Sequence, residues 1–250
     1  MIILKLPHEI EIMRAANRIV AEILSELRER AKPGVTTGDL DLQAEALCRR
    51  HGVRPIFKGY QGYPFALCAS VNGEVVHGMP AERVLVAGDI LSLDFGVDYR
   101  GYCGDAAITV PVGRVSEQAE RLIRVTEESL YAGIAQACAG NRLGDISAAV
   151  QQRVEADGFS VVRDYVGHGI GRRMHEEPQI PNFGRKGRGV ELRAGMVLAI
   201  EPMVNEGTYQ VKVLEDGWTV VTEDGKLSAH FEHSVAITEN GPDILSGLPA

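Results

Sequence analysis

The stretch LVAGDILSLD (residues 85–94) recurs further along the chain as LRAGMVLAIE (residues 192–201), and both copies end on an acidic residue. Upstream, a Gly-Asp-Leu at 38–40 is mirrored by a Gly-Asp-Ile at 144–146, each followed by a glycine at the same distance. The shared order, offset and terminal carboxylate favour a duplication over chance similarity between apolar strands. Long repeats in two copies are typical of pseudo-symmetric halves rather than of a solenoid. We expect the halves to span roughly residues 8–110 and 115–240.

Each half begins with two segments whose apolar residues recur at helical spacing, and strand-like runs follow. The four predicted helices cover residues 8–31, 38–51, 116–139 and 144–157. Hairpin signals between the strands favour antiparallel pairing over a doubly wound parallel sheet. The order predicts an α+β fold, and because nothing resembling a linker separates the halves we expect residues 1–250 to form a single domain. We expect the helices to cover one face of a curved sheet and to leave acidic and His side chains on the opposite, concave face.

Four acidic residues form two pairs, each centred on a turn-like sequence. Asp94 and Asp105 flank a DYRG segment, so we expect them to face each other directly across a hairpin, with Cβ atoms roughly 5 Å apart. Glu201 and Glu232 flank the hairpin-type dipeptide DG at 216–217 in the same way. Buried like charges repel unless a cation neutralises them. The four carboxylates therefore predict a cage for hard or borderline divalent metals.

Histidines and aromatic residues accompany these carboxylates. His168 lies in a GHGIG run, His175 follows shortly after it, and His77 is also followed by a glycine. Metals lower the pKa of bound water and imidazoles can stabilise developing charge, so this combination points to metal-assisted hydrolysis. A purely structural metal site would not need so many polar groups. The aromatic cluster before His77, together with Trp218, predicts an apolar pocket beside the metals.

Composition narrows the class of protein. The formal net charge is -8 over 250 residues, which argues against a protein built to neutralise nucleic-acid phosphates. The four cysteines are widely spaced without a CxxC motif, so neither a zinc ribbon nor a disulfide framework is indicated. No signal-peptide core or membrane-spanning stretch is apparent, and we expect a cytoplasmic protein that does not contact membranes.

The motifs together resemble the type I methionine aminopeptidases of bacteria, and the likeness covers nearly the whole chain. The runs that carry the resemblance are NGEVVHG (72–78), LDFG (93–96) with GD (104–105), GHGIG (167–171), HEEP (175–178), IEP (200–202) and FEH (231–233). The resemblance implies the pita-bread fold, a pseudo-twofold arrangement of helix pairs around a curved antiparallel sheet. It also implies removal of the initiator methionine from nascent polypeptides, with a small second residue preferred.

The same resemblance implies the roles of individual residues. Two divalent metal ions (Mn, Fe or Co) would share five ligands: Asp94, Asp105, His168, Glu201 and Glu232. A metal-bound hydroxide would attack the methionyl carbonyl while Glu201 handles the water proton, His175 stabilises the oxyanion and His77 contacts the scissile amide. The remaining side chains of the methionine pocket would be Tyr60, Tyr63, Cys68 and Trp218. A monomer is expected, and contact with the ribosome is a hypothesis.

Three positions depart from the commonest bacterial pattern, namely Phe57, Met174 and His230. Met174 replaces a rigid ring by a flexible side chain, so we expect a more tolerant pocket. Two other readings stay open. A proline-directed peptidase of the same fold would share the metal ligands but usually carries an additional N-terminal domain, whereas this chain begins close to its first helix. A catalytically inactive binding module of this fold would be expected to have lost metal ligands, and all are present.

Overall fold

The computed structural model describes residues 1–247, which form four α-helices and fifteen β-strands. The helices are α1 (Pro7–Arg30), α2 (Thr37–His51), α3 (Glu117–Ile134) and α4 (Leu143–Ala156). The strands are β1 (Arg54–Pro55), β2 (Cys68–Val71), β3 (Glu74–Val76), β4 (Ile90–Tyr99), β5 (Tyr102–Pro111), β6 (Ser160–Val161), β7 (Gly167–Gly169), β8 (Glu176–Ile180), β9 (Val197–Ile200), β10 (Met203–Asn205), β11 (Val211–Val213), β12 (Val220–Thr222), β13 (Ser228–His230), β14 (Glu232–Thr238) and β15 (Gly241–Ile244). The predicted α+β class is confirmed.

The main sheet has nine strands, with the path β1-β4-β5-β14-β9-β7-β8, while β2 pairs with β4 and β15 pairs with β14. Two three-stranded sheets accompany it, ordered β13-β10-β6 and β11-β12-β3. All the strand pairs in these sheets are antiparallel, as the hairpin signals predict. Since β5 and β14 pair at the middle of the main sheet, strands from the two halves of the chain meet there.

The helices pack on one face of this sheet. Leu93 and Phe95 of β4 are buried in a core cluster with Val20 and Leu24 of α1. Asp94 lies between them in sequence and therefore points to the other face, because side chains alternate along a strand. The predicted separation of an apolar, helix-covered face from an acidic face is confirmed for this strand.

The two halves repeat the same hydrogen bonds around the copied stretches. Gly34 N–H donates to the carbonyl of Leu85 at 2.9 Å, and Gly140 N–H donates to the carbonyl of Leu192 at 2.9 Å. At the N-terminal ends of α2 and α4, the side chains of Asp39 and Asp145 accept the N–H of Thr36 and Arg142 respectively. The sequence repeat thus corresponds to a repeated backbone arrangement.

The helix bounds agree with the sequence except at one end. We expect the third helix to reach residue 139, but α3 ends at Ile134. The Asn141 side chain donates to the carbonyl of Gln136 at 2.9 Å, and the N–H of Cys138 bonds to the same carbonyl. These turn-type bonds replace the helical ones that continuation of α3 would need.

The predicted register of the first hairpin is wrong by a shift of two residues. Asp94 lies opposite Ala107, and Asp105 lies opposite Gly96. The turn is the two-residue loop Arg100-Gly101, in which both residues have positive φ. Positive φ at both central positions is the type I′ geometry, which favours Asn or Gly at the first position and is rarely signalled by Arg. The aspartates are therefore diagonal neighbours, and because the shift is even they keep the same face.

The predicted register of the second hairpin is confirmed along its length. The pairs Ile200–His233, Met203–His230 and Val213–Val220 are all centred on the junction between residues 216 and 217. Continuing the first of these pairings by one residue sets Glu201 opposite Glu232. Within the part of the chain that the structure describes, no helix is both long enough and apolar enough to span a bilayer.

Candidate active site

Three neighbouring strands bring three carboxylates to one spot on the concave face. Ala107 of β5 lies opposite Asp94 on one side and opposite Glu232 on the other. Asp105 precedes Ala107 by two residues on the same strand, so its side chain points to the same face. The small Ala107 side chain leaves the three carboxylates adjacent to one another.

Glu201 and His168 complete the group from the other half of the chain. His168 on β7 pairs with Ala199 on β9, and Glu201 follows β9 directly. His168 Nε2 lies 3.5 Å from Glu201 Oε1. His168 Nδ1 lies 3.0 Å from the carbonyl oxygen of Gly169, and since a carbonyl can only accept, Nδ1 carries the proton. Nε2 is therefore a free lone pair directed at the carboxylates.

The chemistry of these groups fits a divalent metal. Ligand-type atoms of Asp105, His168 and Glu232 lie within 4.8 Å of one another. Asp94 Oδ1, Asp105 Oδ1 and Glu232 Oε1 are buried without a hydrogen-bond partner in the described chain. Buried carboxylate oxygens are normally hydrogen-bonded, paired or bound to a metal. Carboxylate oxygens with one imidazole suit divalent metals of hard or borderline character.

Without a cation, burial makes this set of groups favour neutral forms. Burial raises the pKa of Asp94 to about 7 and that of Glu201 to about 8. Burial first, and then repulsion from neighbouring carboxylates, raises the pKa values of Asp105 and Glu232 well above the usual range. Burial lowers the pKa of His168 to about 3, so its imidazole is neutral and able to bind a metal at physiological pH.

A cavity of about 160 Å³ opens beside the metal ligands. Its apolar wall contains the predicted pocket residues, with the rings of Tyr63 and Trp218 in an edge-to-face contact at 5.1 Å. Burial raises the pKa of the Cys68 thiol, so this side chain is a neutral, apolar part of the wall. The structure brings together all the predicted site residues: Tyr60, Tyr63, Cys68, His77, Asp94, Asp105, His168, His175, Glu201, Trp218 and Glu232. Phe65 packs behind this wall and does not line the cavity.

The other two predicted histidines, His77 and His175, also line the cavity. His175 Nδ1 lies 2.7 Å from the hydroxyl of Tyr60, and its ring centroid lies 4.3 Å from that of His168. His77 has a left-handed backbone (φ 59°), which is uncommon for a residue other than glycine and often marks a functional site. Burial lowers the pKa values of both histidines, to about 4 for His77.

The segment that carries His175 is held by a buried ion pair. Lys5 Nζ donates to Glu176 Oε2 at 2.8 Å, and the two side chains are 4% and 3% exposed. The other carboxylate oxygen of Glu176 accepts the N–H of Arg173. A Cβ on Gly171 would lie 2.6 Å from both Lys5 Cε and Glu176 Oε1, which leaves glycine as the residue that fits beside the pair.

Several residues that support the site were not assigned a part in it by the sequence motifs. Gln61 lines the cavity, next to the predicted Tyr60. Asn17 of α1 is fully buried, and its Oδ1 accepts the N–H of Asp105 at 3.1 Å. Asn182 donates to the carbonyl of Glu201 at 2.9 Å. The two asparagines lie 88 and 19 positions away from the residues that they hold, so the local motifs give no signal for these contacts.

The prolyl peptidases share the architecture of this chain at low sequence identity. The structure of the Xaa-Pro dipeptidase from Bacillus anthracis superposes with a TM-score of 0.79 at 22% identity, covering 98% of this chain and 62% of that one. Identity at this level indicates a common fold and carries no information about substrate.

The methionine aminopeptidases are far more similar. That of Clostridium perfringens is 59% identical over 246 residues, which cover 98% of this chain and 99% of the relative. The crystal structure of methionine aminopeptidase from Thermotoga maritima is 52% identical, with a TM-score of 0.97 and coverage of 98% and 99% of the two chains. The profile of metallopeptidase family M24 matches residues 11–239. The predicted pita-bread fold is thereby confirmed. The chain therefore belongs to metallopeptidase family M24 and, within it, to the methionine aminopeptidases.

Proposed function

We propose that the chain removes the initiator methionine from polypeptides whose second residue is small, at a centre that holds two divalent metal ions. Residues 1–250 would act as one catalytic domain, and each of the pseudo-repeats 8–110 and 115–240 would supply part of the centre. The observation that carries the proposal is the convergence of buried, unpartnered carboxylate oxygens with the His168 lone pair beside a cavity of about 160 Å³.

The five ligands would be shared between two ions. Asp94, Asp105 and Glu232 would hold one ion, and Asp105, His168, Glu201 and Glu232 would hold the other. Asp105 and Glu232 would belong to both sets of ligands, which fits their position on adjacent strands within reach of His168. Bound Mn²⁺, Fe²⁺ or Co²⁺ would polarise the scissile carbonyl and lower the pKa of a water molecule.

Glu201 is suited to accept the proton of the attacking water. Its pKa is raised to about 8 by burial, and its side chain lies at the cavity beside His168. A general base works best when its pKa lies near the operating pH. With cations bound, the pKa of Glu201 would be lower than in their absence, which favours the ionised form that accepts a proton.

His175 and His77 would act on the substrate amide. The contact of His175 Nδ1 with the hydroxyl of Tyr60 holds the ring at the cavity mouth, where Nε2 can donate to the developing oxyanion. His77 also lines the cavity, and its ring packs edge-on against Tyr165 at 5.6 Å and Trp218 at 6.4 Å. This wall would set the position of the scissile amide and limit the size of the second residue.

The apolar part of the cavity would hold the methionine side chain. An unbranched thioether fills a narrow slot between aromatic rings and gains contact between sulfur and the ring edges. The edge-to-face pair Tyr63–Trp218 forms one wall, and Met174, only 7% exposed, adds a flexible surface. Branched side chains would fit this slot less well than methionine.

Metal titration of the metal-free protein tests the proposal. Under anaerobic conditions, release of free methionine from Met-Ala-Ser should rise as Mn²⁺, Fe²⁺ or Co²⁺ is added. Asp105→Asn should reduce the rate by more than about 100-fold, because even outer residues of metal sites commonly cost 10–100-fold. An Xaa-Pro peptide serves as the control substrate. Cleavage of that peptide but not of Met-Ala-Ser, or absence of divalent metal binding, would contradict the assignment.

The proposed cellular setting follows from the substrate. Nascent polypeptides appear in the cytoplasm, so action there, as a monomer close to the ribosome, is consistent with this substrate. The net charge of -8 gives no support for sequence-specific nucleic-acid binding or for attraction to anionic membranes. Sedimentation of the protein with ribosomes at physiological salt would test the ribosome contact directly.

A further inference from the structure

His230 is a buried imidazole at the centre that the proposed mechanism does not use. It ends β13, two residues before Glu232, and is 1% exposed. Neither of its ring nitrogens has a hydrogen-bond partner in the described chain. A buried polar group left without a partner costs about 1–3 kcal/mol. An imidazole held in this state needs an explanation.

The backbone fixes where this ring points. The Thr109 hydroxyl donates to the His230 carbonyl at 2.8 Å, and the His230 N–H donates to the same hydroxyl oxygen at 2.8 Å. The opposing residue across the strand pair is Met203, which is fully buried. The ring therefore cannot turn out to solvent without breaking the strand pairing.

The ring faces Glu201. His230 Nε2 lies 3.6 Å from Glu201 Oε2, while His168 Nε2 lies 3.5 Å from Glu201 Oε1. The carboxylate thus lies between two imidazoles, one on each oxygen. Both distances are longer than a hydrogen bond, but a rotation that moves either group by a few tenths of an ångström would close one of them.

The two imidazoles are not equivalent. The proton of His168 is on Nδ1, so its Nε2 lone pair faces Glu201 Oε1, and either a proton or a metal ion between the two atoms would satisfy both. Both nitrogens of His230 are free, so the tautomer with the proton on Nε2 can donate to Glu201 Oε2. One oxygen of Glu201 is then directed at a metal and the other at a proton donor.

We infer that His230 is a positioning residue for Glu201. Donation from His230 Nε2 to Glu201 Oε2 would hold the carboxylate with Oε1 towards His168 and the metal. The carboxylate would then lose less conformational freedom when the metal binds. Partners of this kind orient metal ligands, and their removal commonly costs 10–100-fold in metal affinity. The inference rests on the proposed role of Glu201 as a ligand.

Calorimetric titration of the metal-free protein with Co²⁺ alone tests the inference. His230→Leu fills similar space without a donor, and we expect it to weaken Co²⁺ binding by about 10–100-fold. His230→Gln offers an N–H to the same carboxylate and should retain most of the wild-type affinity. The visible absorption of the bound Co²⁺ should change in His230→Leu and be largely restored in His230→Gln. His51→Leu on α2 is the matched control for loss of an imidazole away from the centre.

The outcomes separate this inference from the proposed metal site. If His230→Leu binds Co²⁺ as wild type does, or if His230→Gln is as weak as His230→Leu, the donor role is wrong while the metal site stands. If the wild-type protein itself binds no Co²⁺, the ligand assignment fails and the inference fails with it. Circular dichroism and thermal unfolding of each variant establish that the affinities are compared between folded proteins.

Discussion

Replacing Lys5 with Met tests how far the buried Lys5–Glu176 ion pair stabilises the fold around His175. The charged atoms lie 2.8 Å apart, and the side chains are 4% and 3% exposed. Two unit charges at that distance attract by about 6 kcal/mol at an effective dielectric constant of about 20. Met keeps the length of the side chain but leaves Glu176 buried without its counter-ion. We expect the free energy of unfolding to fall by about 3–5 kcal/mol, which is the loss typical of removing one partner of a buried ion pair.

Urea unfolding followed through the fluorescence of Trp218, the single tryptophan, measures this loss. Lys212→Met, on the exposed β11, is the control for removing a lysine charge and should change stability by less than about 0.5 kcal/mol. The double variant Lys5→Met/Glu176→Gln should recover part of the loss, because a neutral pair does not leave a charge buried alone. A loss below about 1 kcal/mol in Lys5→Met, which is typical of exposed pairs, would refute the reasoning.

Three further predictions concern packing, pH and the pocket. Gly104→Ala should lower the free energy of unfolding by about 1–3 kcal/mol, because the added Cβ would lie 2.8 Å from the backbone of α1. Gly247→Ala is the control and should not lower it, because the nearest atom to its Cβ is 3.6 Å away. Equal losses of the two variants in urea unfolding would contradict this prediction. In the metal-free protein the pKa of Asp94 is raised to about 7 and that of Glu201 to about 8, whereas both groups have pKa values near 4 in the unfolded chain. Their contribution to the stability of the folded protein is therefore fully present below about pH 4 and is lost as the pH rises to 8. Tm should therefore fall over that range, and Mn²⁺ should raise it more at pH 8 than at pH 6; a metal-induced rise independent of pH would oppose the assignment. Met174→Phe should sharpen the preference for methionine over norleucine and leucine at the N-terminus, measured as ratios of kcat/KM, and unchanged ratios would remove the predicted role of Met174 in tolerance.

The carboxylate cage could be predicted from sequence because its geometry depends on strand alternation. The shift of two residues in the β4–β5 register left Asp94 and Asp105 on the same face, so an error in the turn did not disturb the site. The turn itself could not be predicted, because Arg100 adopts a left-handed conformation that local rules assign to Asn or Gly. Its geometry follows from the long pairing of the two strands and from Asp98 Oδ1, which accepts the N–H of Gly101 at 2.9 Å.

The supporting contacts of the site were beyond sequence reasoning for a different reason. Asn17 and Thr109 act on residues 88 and 121 positions away, and the motifs contain no signal for such pairings. In the sequence His230 stands two residues before Glu232, but its Nε2 lies 3.6 Å from Glu201, which follows β9. Local patterns predict which face a residue occupies, whereas the choice between two carboxylates on that face depends on how strands from both halves pack.

All the strand pairs of the second hairpin are centred between residues 216 and 217, and this limits where residues can be inserted or deleted. Glu201 and Glu232 stand on opposite arms, and the paired segments between them and the tip keep one alignment. Insertion of a single residue into either arm would turn one of these carboxylates away from the cavity. Tolerated insertions and deletions should therefore cluster at the tip around residues 214–219, or arise as matched changes in both arms, whereas the strand segments that carry the carboxylates should keep a constant length.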